Sequence, residues 1–90
     1  MYLAKVIGTI VSTNRNPQLS GLKLLMIKRL THKMEETADT DIAVDAIGAG
    51  VGEIVIVTRS GAARVPFGDR AVPVDATIVE IADIVEVRDE

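Results

Sequence analysis

The chain has 90 residues, 48% of them apolar, with 10 basic and 13 acidic side chains, a net charge of −3 and no cysteine. That length allows one domain with a small interior, the missing cysteine excludes disulfides and thiolate metal sites, and the acidic balance argues against a nucleic-acid surface. So much apolar surface exceeds what a small monomer hides, and burial between subunits is expected.

The opening MYLAKVIGTIVS, interrupted by Lys5, does not resemble a signal peptide. No apolar run reaches the roughly 20 residues that span a bilayer. A soluble, cytosolic protein with no membrane partner is expected. Residues 2–12, YLAKVIGTIVS, form a first strand, with Tyr2, Ala4, Val6, Gly8 and Ile10 on one face and Leu3, Lys5, Ile7, Thr9 and Val11 on the other. TNRNPQLSG (13–21) is a loop by composition. LKLLMIKRL (22–30) is a second strand, carrying Leu22, Leu24, Met26, Lys28 and Leu30 on one side and Lys23, Leu25, Ile27 and Arg29 on the other.

THKMEETADT (31–40) is polar and reads as an exposed connection. DIAVDAI (41–47) and EIVIVTR (53–59) are the third and fourth strands. SGAAR (60–64) suits one helical turn with Ser60 as N-cap and Pro66 ending it. FGDRAVP (67–73) is a loop. VDATIVEIADIVEV (74–87) is strand-like, but its apolar spacing changes near Ile81–Ala82, which predicts a break or bulge there. Five strands, one helical turn and no repeat predict a single all-β domain over residues 1–90, a small antiparallel barrel.

GAGVGE (48–53) is the motif that invites a phosphate-binding reading. A dinucleotide loop needs G-x-G-x-x-G opening a helix. Here the spacing is G-x-G-x-G and the strand EIVIV follows. Gly48, Gly50 and Gly52 are therefore expected to supply backbone freedom and close approach in a strand–strand connection. No cofactor is implied. Asp39 and Asp41 form a D-x-D pair, but Ala43 and Val44 stand where a calcium loop needs an oxygen ligand and a glycine. His32 has no partner for a triad or a metal site. Asp45 and Asp75 interrupt apolar runs as V-D-A; without companion catalytic groups they read as structural carboxylates that accept backbone N–H groups or face solvent. A five-stranded barrel also raises single-strand or small-ligand binding as an alternative. Against it, the basic cluster Lys23, Lys28, Arg29 and Lys33 contains neither Tyr2 nor Phe67, the two aromatic rings of the chain.

Five blocks, MYLAKVIGTIVST, NPQLSGLKLLMI, AVDAIGAGVGEIVIV, SGAAR and PVDATIVEI, stand in an order and spacing that resembles the EutN/CcmL family of microcompartment shell vertex proteins. The resemblance implies an OB-like five-stranded antiparallel β-barrel that is not an enzyme. It further implies homopentamers at the vertices of a polyhedral shell in the bacterial cytoplasm, whose facets are made by hexameric shell proteins, with no nucleic acid as partner. Under it, Gly48, Ala49, Gly50, Val51, Gly52 and Glu53 are expected to lie near the fivefold axis, where small residues let backbones crowd. Glu53 is then a rim charge or a partner of a neighbour's Arg64, and Ser60 and Gly61 belong to an interface or a turn.

Overall fold

The computed structural model describes residues 1–11, 21–67 and 75–88. The expected loops therefore fall mostly outside the described residues, apart from Gly21 and Phe67. Five strands are present: β1 (Tyr2–Thr9), β2 (Lys23–Leu30), β3 (Glu36–Asp45), β4 (Ile54–Arg59) and β5 (Ala76–Ile81). They close into a barrel in the order β1-β2-β3-β5-β4, with β4 returning to β1. A 3-10 helix, Ser60–Phe67, connects β4 toward β5.

The barrel is filled from alternate positions. Ala4 and Val6, Leu25 and Ile27, Ala43, Val55 and Val57, Ala76 and Ile78 all point inward and are sealed from solvent. Small alanines facing larger β-branched residues suit the narrow interior of a five-stranded barrel. Each fully buried Val, Leu or Ile contributes about 1.5–3 kcal/mol.

Four expectations are corrected. First, β3 pairs with β5 in parallel, through Val44↔Thr77 and Asp45↔Ile78, while the other pairings are antiparallel. β4 runs antiparallel to β5 and returns the chain to the end from which such a parallel strand must start; the 3-10 helix follows β4 at that end. Second, β3 begins at Glu36, so half of the polar stretch 31–40 is strand. Its pairing with β2 runs down to Leu30↔Glu36, whereas β5 covers only its C-terminal end. Water reaches this half, which therefore shows no apolar alternation. Third, Pro66 lies inside the helix rather than ending it, since its fixed φ falls within the 3-10 range. Fourth, β1 stops at Thr9 and contains a bulge between Val6 and Gly8. The bulge moves Gly8 from the Ala4–Val6 face to the outside, where it faces Met26. A single extra residue reverses every later side chain.

The expected change at Ile81–Ala82 is where β5 ends. The Ala82 N–H still reaches the Ile54 carbonyl at 2.8 Å, and beyond it residues 83–88 form neither strand nor helix.

Candidate assembly surface

The loop between β3 and β4 is held from four directions. Asp45, the last residue of β3, turns its carboxylate back, and Oδ1 accepts the N–H groups of Ile47 and Gly48, each at 3.0 Å. These bonds end the strand at Asp45, two residues before the expected boundary. The Asp45 side chain is only 2% exposed, and its Oδ2 lies 3.8 Å from Lys23 Nζ. Lys23 donates a hydrogen bond of 2.8 Å to the Ala49 carbonyl. Ala49 itself is buried in the barrel core.

On the far side of the loop, the Gly52 N–H donates to the Val6 carbonyl at 2.8 Å, and the Val6 N–H donates to the Glu53 carbonyl at 3.0 Å. The Glu53 carboxylate accepts the Gly50 N–H at 2.6 Å. Gly48 and Gly52 adopt φ of 89° and 93°, the left-handed region in which a Cβ is strained. Gly48 and Gly52 thus supply the expected backbone freedom, Gly50 does not need it, and the hydrogen bonds pin the loop. What this pinned loop presents to solvent is apolar: Ile47, and Val51 at 62% exposure.

Ser60 and Gly61 open the helix. Ser60 has φ of 57° and its N–H donates to the Asp75 carbonyl at 2.8 Å. An N-cap residue has extended backbone, so the entry to this helix is held by the backbone bond. The Arg64 side chain lies outside the described part of the structure. Asp75 is exposed, 4.0 Å from Arg59. Beneath the helix, Thr77 donates its hydroxyl to the Ala63 carbonyl at 2.6 Å, and its cross-strand neighbour Thr58 is buried beside it.

At one mouth of the barrel the inward rows continue as polar side chains. Tyr2 precedes Ala4 by two positions, Arg29 follows Ile27 by two, Asp41 precedes Ala43 by two and Arg59 follows Val57 by two. The Tyr2 hydroxyl donates to Asp41 Oδ2 at 3.1 Å, Arg59 lies 3.4 Å from the same oxygen, and the Arg29 guanidinium sits 4.7 Å from the Tyr2 ring centroid. Together with Asp39 and Thr40 they line a half-open cavity of about 230 Å³. Burial, then the Asp41 charge and its hydrogen bond, push the Tyr2 hydroxyl up to about 12. No motif points to this layer; period-2 alternation places each residue on its own strand, and closure of the barrel brings the four together.

The basic cluster does not form one surface. Lys23 is turned into the loop, Lys28 lies 3.8 Å from Glu36, and Arg29 covers Tyr2. His32 is an exposed turn residue. Among the described residues no group of three or more His, Asp or Glu side chains could hold a metal ion, and no helix is long and apolar enough to cross a membrane.

The fold is a small closed barrel whose pinned loop holds Ile47 and Val51 toward solvent. The chain belongs to the EutN/CcmL family: the model described as ethanolamine utilisation protein EutN/carboxysome matches residues 1–83. It is 51% identical over 86 residues to the bacterial microcompartment shell vertex protein GrpN of Rhodospirillum rubrum (strain F11), covering 96% of this chain and 97% of the relative. It is 45% identical to the carboxysome shell vertex protein CcmL of Synechocystis sp. (strain ATCC 27184 / PCC 6803 / Kazusa), covering 97% and 87%. Among solved structures, the GrpN pentameric microcompartment shell protein from Rhodospirillum rubrum superimposes with a TM-score of 0.89 at 49% identity, over 98% of this chain and 100% of that one. CcmL of Gloeobacter violaceus gives 0.90 at 34% identity, over 97% and 90%.

Proposed function

We propose that this chain is a structural shell subunit, which assembles as a homopentamer and closes the vertices of a polyhedral microcompartment in the bacterial cytoplasm. The observation that carries this reading is the end-to-end likeness to a pentameric shell protein at 49% identity, with no large insertion to support a different role. The subunit acts by shape and not by catalysis. Its outer partners are the hexameric shell proteins of the facets, with nucleic acid playing no part.

Cyclic association joins two different patches of each subunit, head to tail. The GAGVGE loop supplies one of them. Held by Asp45, Lys23 and Glu53, it needs no ordering on association, which lowers the entropic cost of docking. In this reading Gly50 and Val51 face the fivefold axis. Glu53 holds its own loop through Oε1, which accepts the Gly50 N–H, and its second carboxylate oxygen is the one that would meet the Arg64 of a neighbour.

Native mass spectrometry tests the assembly. Subunits of 9.6 kDa should give a species of about 48 kDa. Gly50→Leu should shift that species toward monomer while the circular dichroism of the barrel is kept. A wild-type monomer that binds single strands in a salt-sensitive manner would instead establish the binding-module alternative.

A further inference from the structure

The outer face of β1, β2 and β3 carries a short apolar row. Register pairs set Gly8 against Met26, and Met26 against Ile42, which is 48% exposed; the bulged Ile7 projects beside them. Gly8 is the unexpected member. Its φ is outside the left-handed region, and a Cβ there would meet Met26 Cβ at an ordinary 3.8 Å. The subunit's own fold therefore has no need of glycine, and a glycine inside a strand lowers its stability. What glycine does leave is a notch where another backbone can approach closely.

One step along the same strands, Lys5 faces Lys28 directly. Like charges opposite one another are unfavourable. Lys28 has Glu36 at 3.8 Å, but Lys5 has no carboxylate partner among the described residues. The outer face thus offers an apolar row beside a cation in want of an acid.

The C-terminal segment has the complementary features. After the Ala82 bond to Ile54 no further strand forms, and Ile84 at 79% and Val87 at 47% are exposed, with Asp83, Glu86 and Arg88 among them. The family match ends at residue 83, where this exposure begins. Exposed apolar side chains beyond β5 and an apolar row on β1, β2 and β3 are two unlike patches of the kind that a cyclic contact requires.

We infer that residues 83–88 of one subunit lie across the Gly8–Met26–Ile42 row of the adjacent copy, with Glu86 meeting Lys5. The inference rests on the pentameric reading and specifies a second contact within it, on the stretch of β1 that the glycine loop borders through Val6. Ile84 and Val87 cover the row, Gly8 gives room to the segment's backbone, and Glu86 relieves the Lys5–Lys28 repulsion.

The chain has no cysteine, so Ile42→Cys and Ile84→Cys can be introduced singly and together without background. Mild oxidation of the double variant should produce a ladder of cross-linked species up to the pentamer, and neither single variant should do so. Lys5→Glu should raise the concentration at which the pentamer dissociates by about tenfold. Combining Lys5→Glu with Glu86→Lys should restore most of that loss, which a merely misfolded variant would not allow. A chain ending at residue 83 that still forms pentamers at wild-type concentrations, with no ladder from the double cysteine variant, overturns this contact and leaves the pentamer standing. A wild-type chain that remains monomeric overturns both.

Discussion

The Glu53 carboxylate, at the far end of the glycine loop, accepts the Gly50 N–H at 2.6 Å. It is a charge-assisted bond to a backbone donor, closing the loop on itself. Replacing Glu53 by Ala should lower subunit stability by about 1–2 kcal/mol, and Gln, whose amide oxygen can still accept, should recover about half. Urea unfolding of the two variants checks the order; equal losses would show that only the charge matters. Gly48→Ala and Gly52→Ala should each cost about 1–2 kcal/mol through their positive φ, whereas Gly50→Ala need only displace the Glu53 oxygen, 3.4 Å away, by a few tenths of an ångström.

Asp45 sits almost wholly inside the protein and accepts two loop N–H groups. Asp45→Ala strips both of their partner and should cost about 2–3 kcal/mol. Asp45→Asn keeps one acceptor oxygen and should cost less. The 3.8 Å approach of Lys23 adds little, since that side chain is half exposed and the pair is screened. Hydrogen exchange should localise the damage, with faster exchange at the amides of Ile47 and Gly48 and little change on β1.

Tyr2 provides a pH test, because it is the single tyrosine. Burial first, and Asp41 second, raise its pKa from 10.0 to about 12. The unfolded chain therefore loses this proton before the folded one does. The stabilisation is fully present below about pH 10 and is lost as pH rises through about 12. The tyrosinate absorbance of the folded protein should rise with a midpoint near 12, and Asp41→Asn should bring it down. Across that window wild type should lose more stability than Tyr2→Phe. A folded midpoint at the ordinary value would refute the layer at the barrel mouth.

Thr77 is fully buried and donates its hydroxyl to the Ala63 carbonyl at 2.6 Å. Thr77→Val preserves shape but leaves that carbonyl without its donor, at a cost of about 1–3 kcal/mol. The loss should concentrate in the helix Ser60–Phe67, read as accelerated amide exchange there. A uniform loss across the barrel strands would show that the bond does not hold the helix.

Legibility in the sequence followed the strength of the local pattern. β2 and β4 read almost to the residue, because Leu25, Ile27, Val55 and Val57 alternate with partly exposed neighbours. The N-terminal half of β3 did not, because Thr37, Asp39 and Thr40 are strand residues with water around them and no apolar face to betray the period. Gly8 was placed on the wrong side by a bulge that no residue type announces. The glycine loop was correctly read as a connection from its spacing, but it is pinned by Asp45 and Lys23, and Lys23 lies in a strand distant in sequence. Tyr2, Arg29, Asp41 and Arg59 were each legible as strand residues and illegible as a layer, since only closure of the barrel brings four strand ends together.

By itself the sequence determined what depends on neighbours along the chain: an all-β composition, the number and order of the strands, a glycine loop with the wrong spacing for phosphate, and the order of blocks that identifies the family. The tertiary structure alone decided what depends on residues far apart meeting. It set the parallel pairing of β3 with β5, the outward turn of Gly8 beside Met26 and Ile42, the Lys23 bond to the Ala49 carbonyl, and the exposure of Ile84 and Val87 beyond β5. The physical reason is that period and propensity are local, whereas register and closure are fixed by which long-range pairings bury the most apolar surface without leaving a backbone group unpaired.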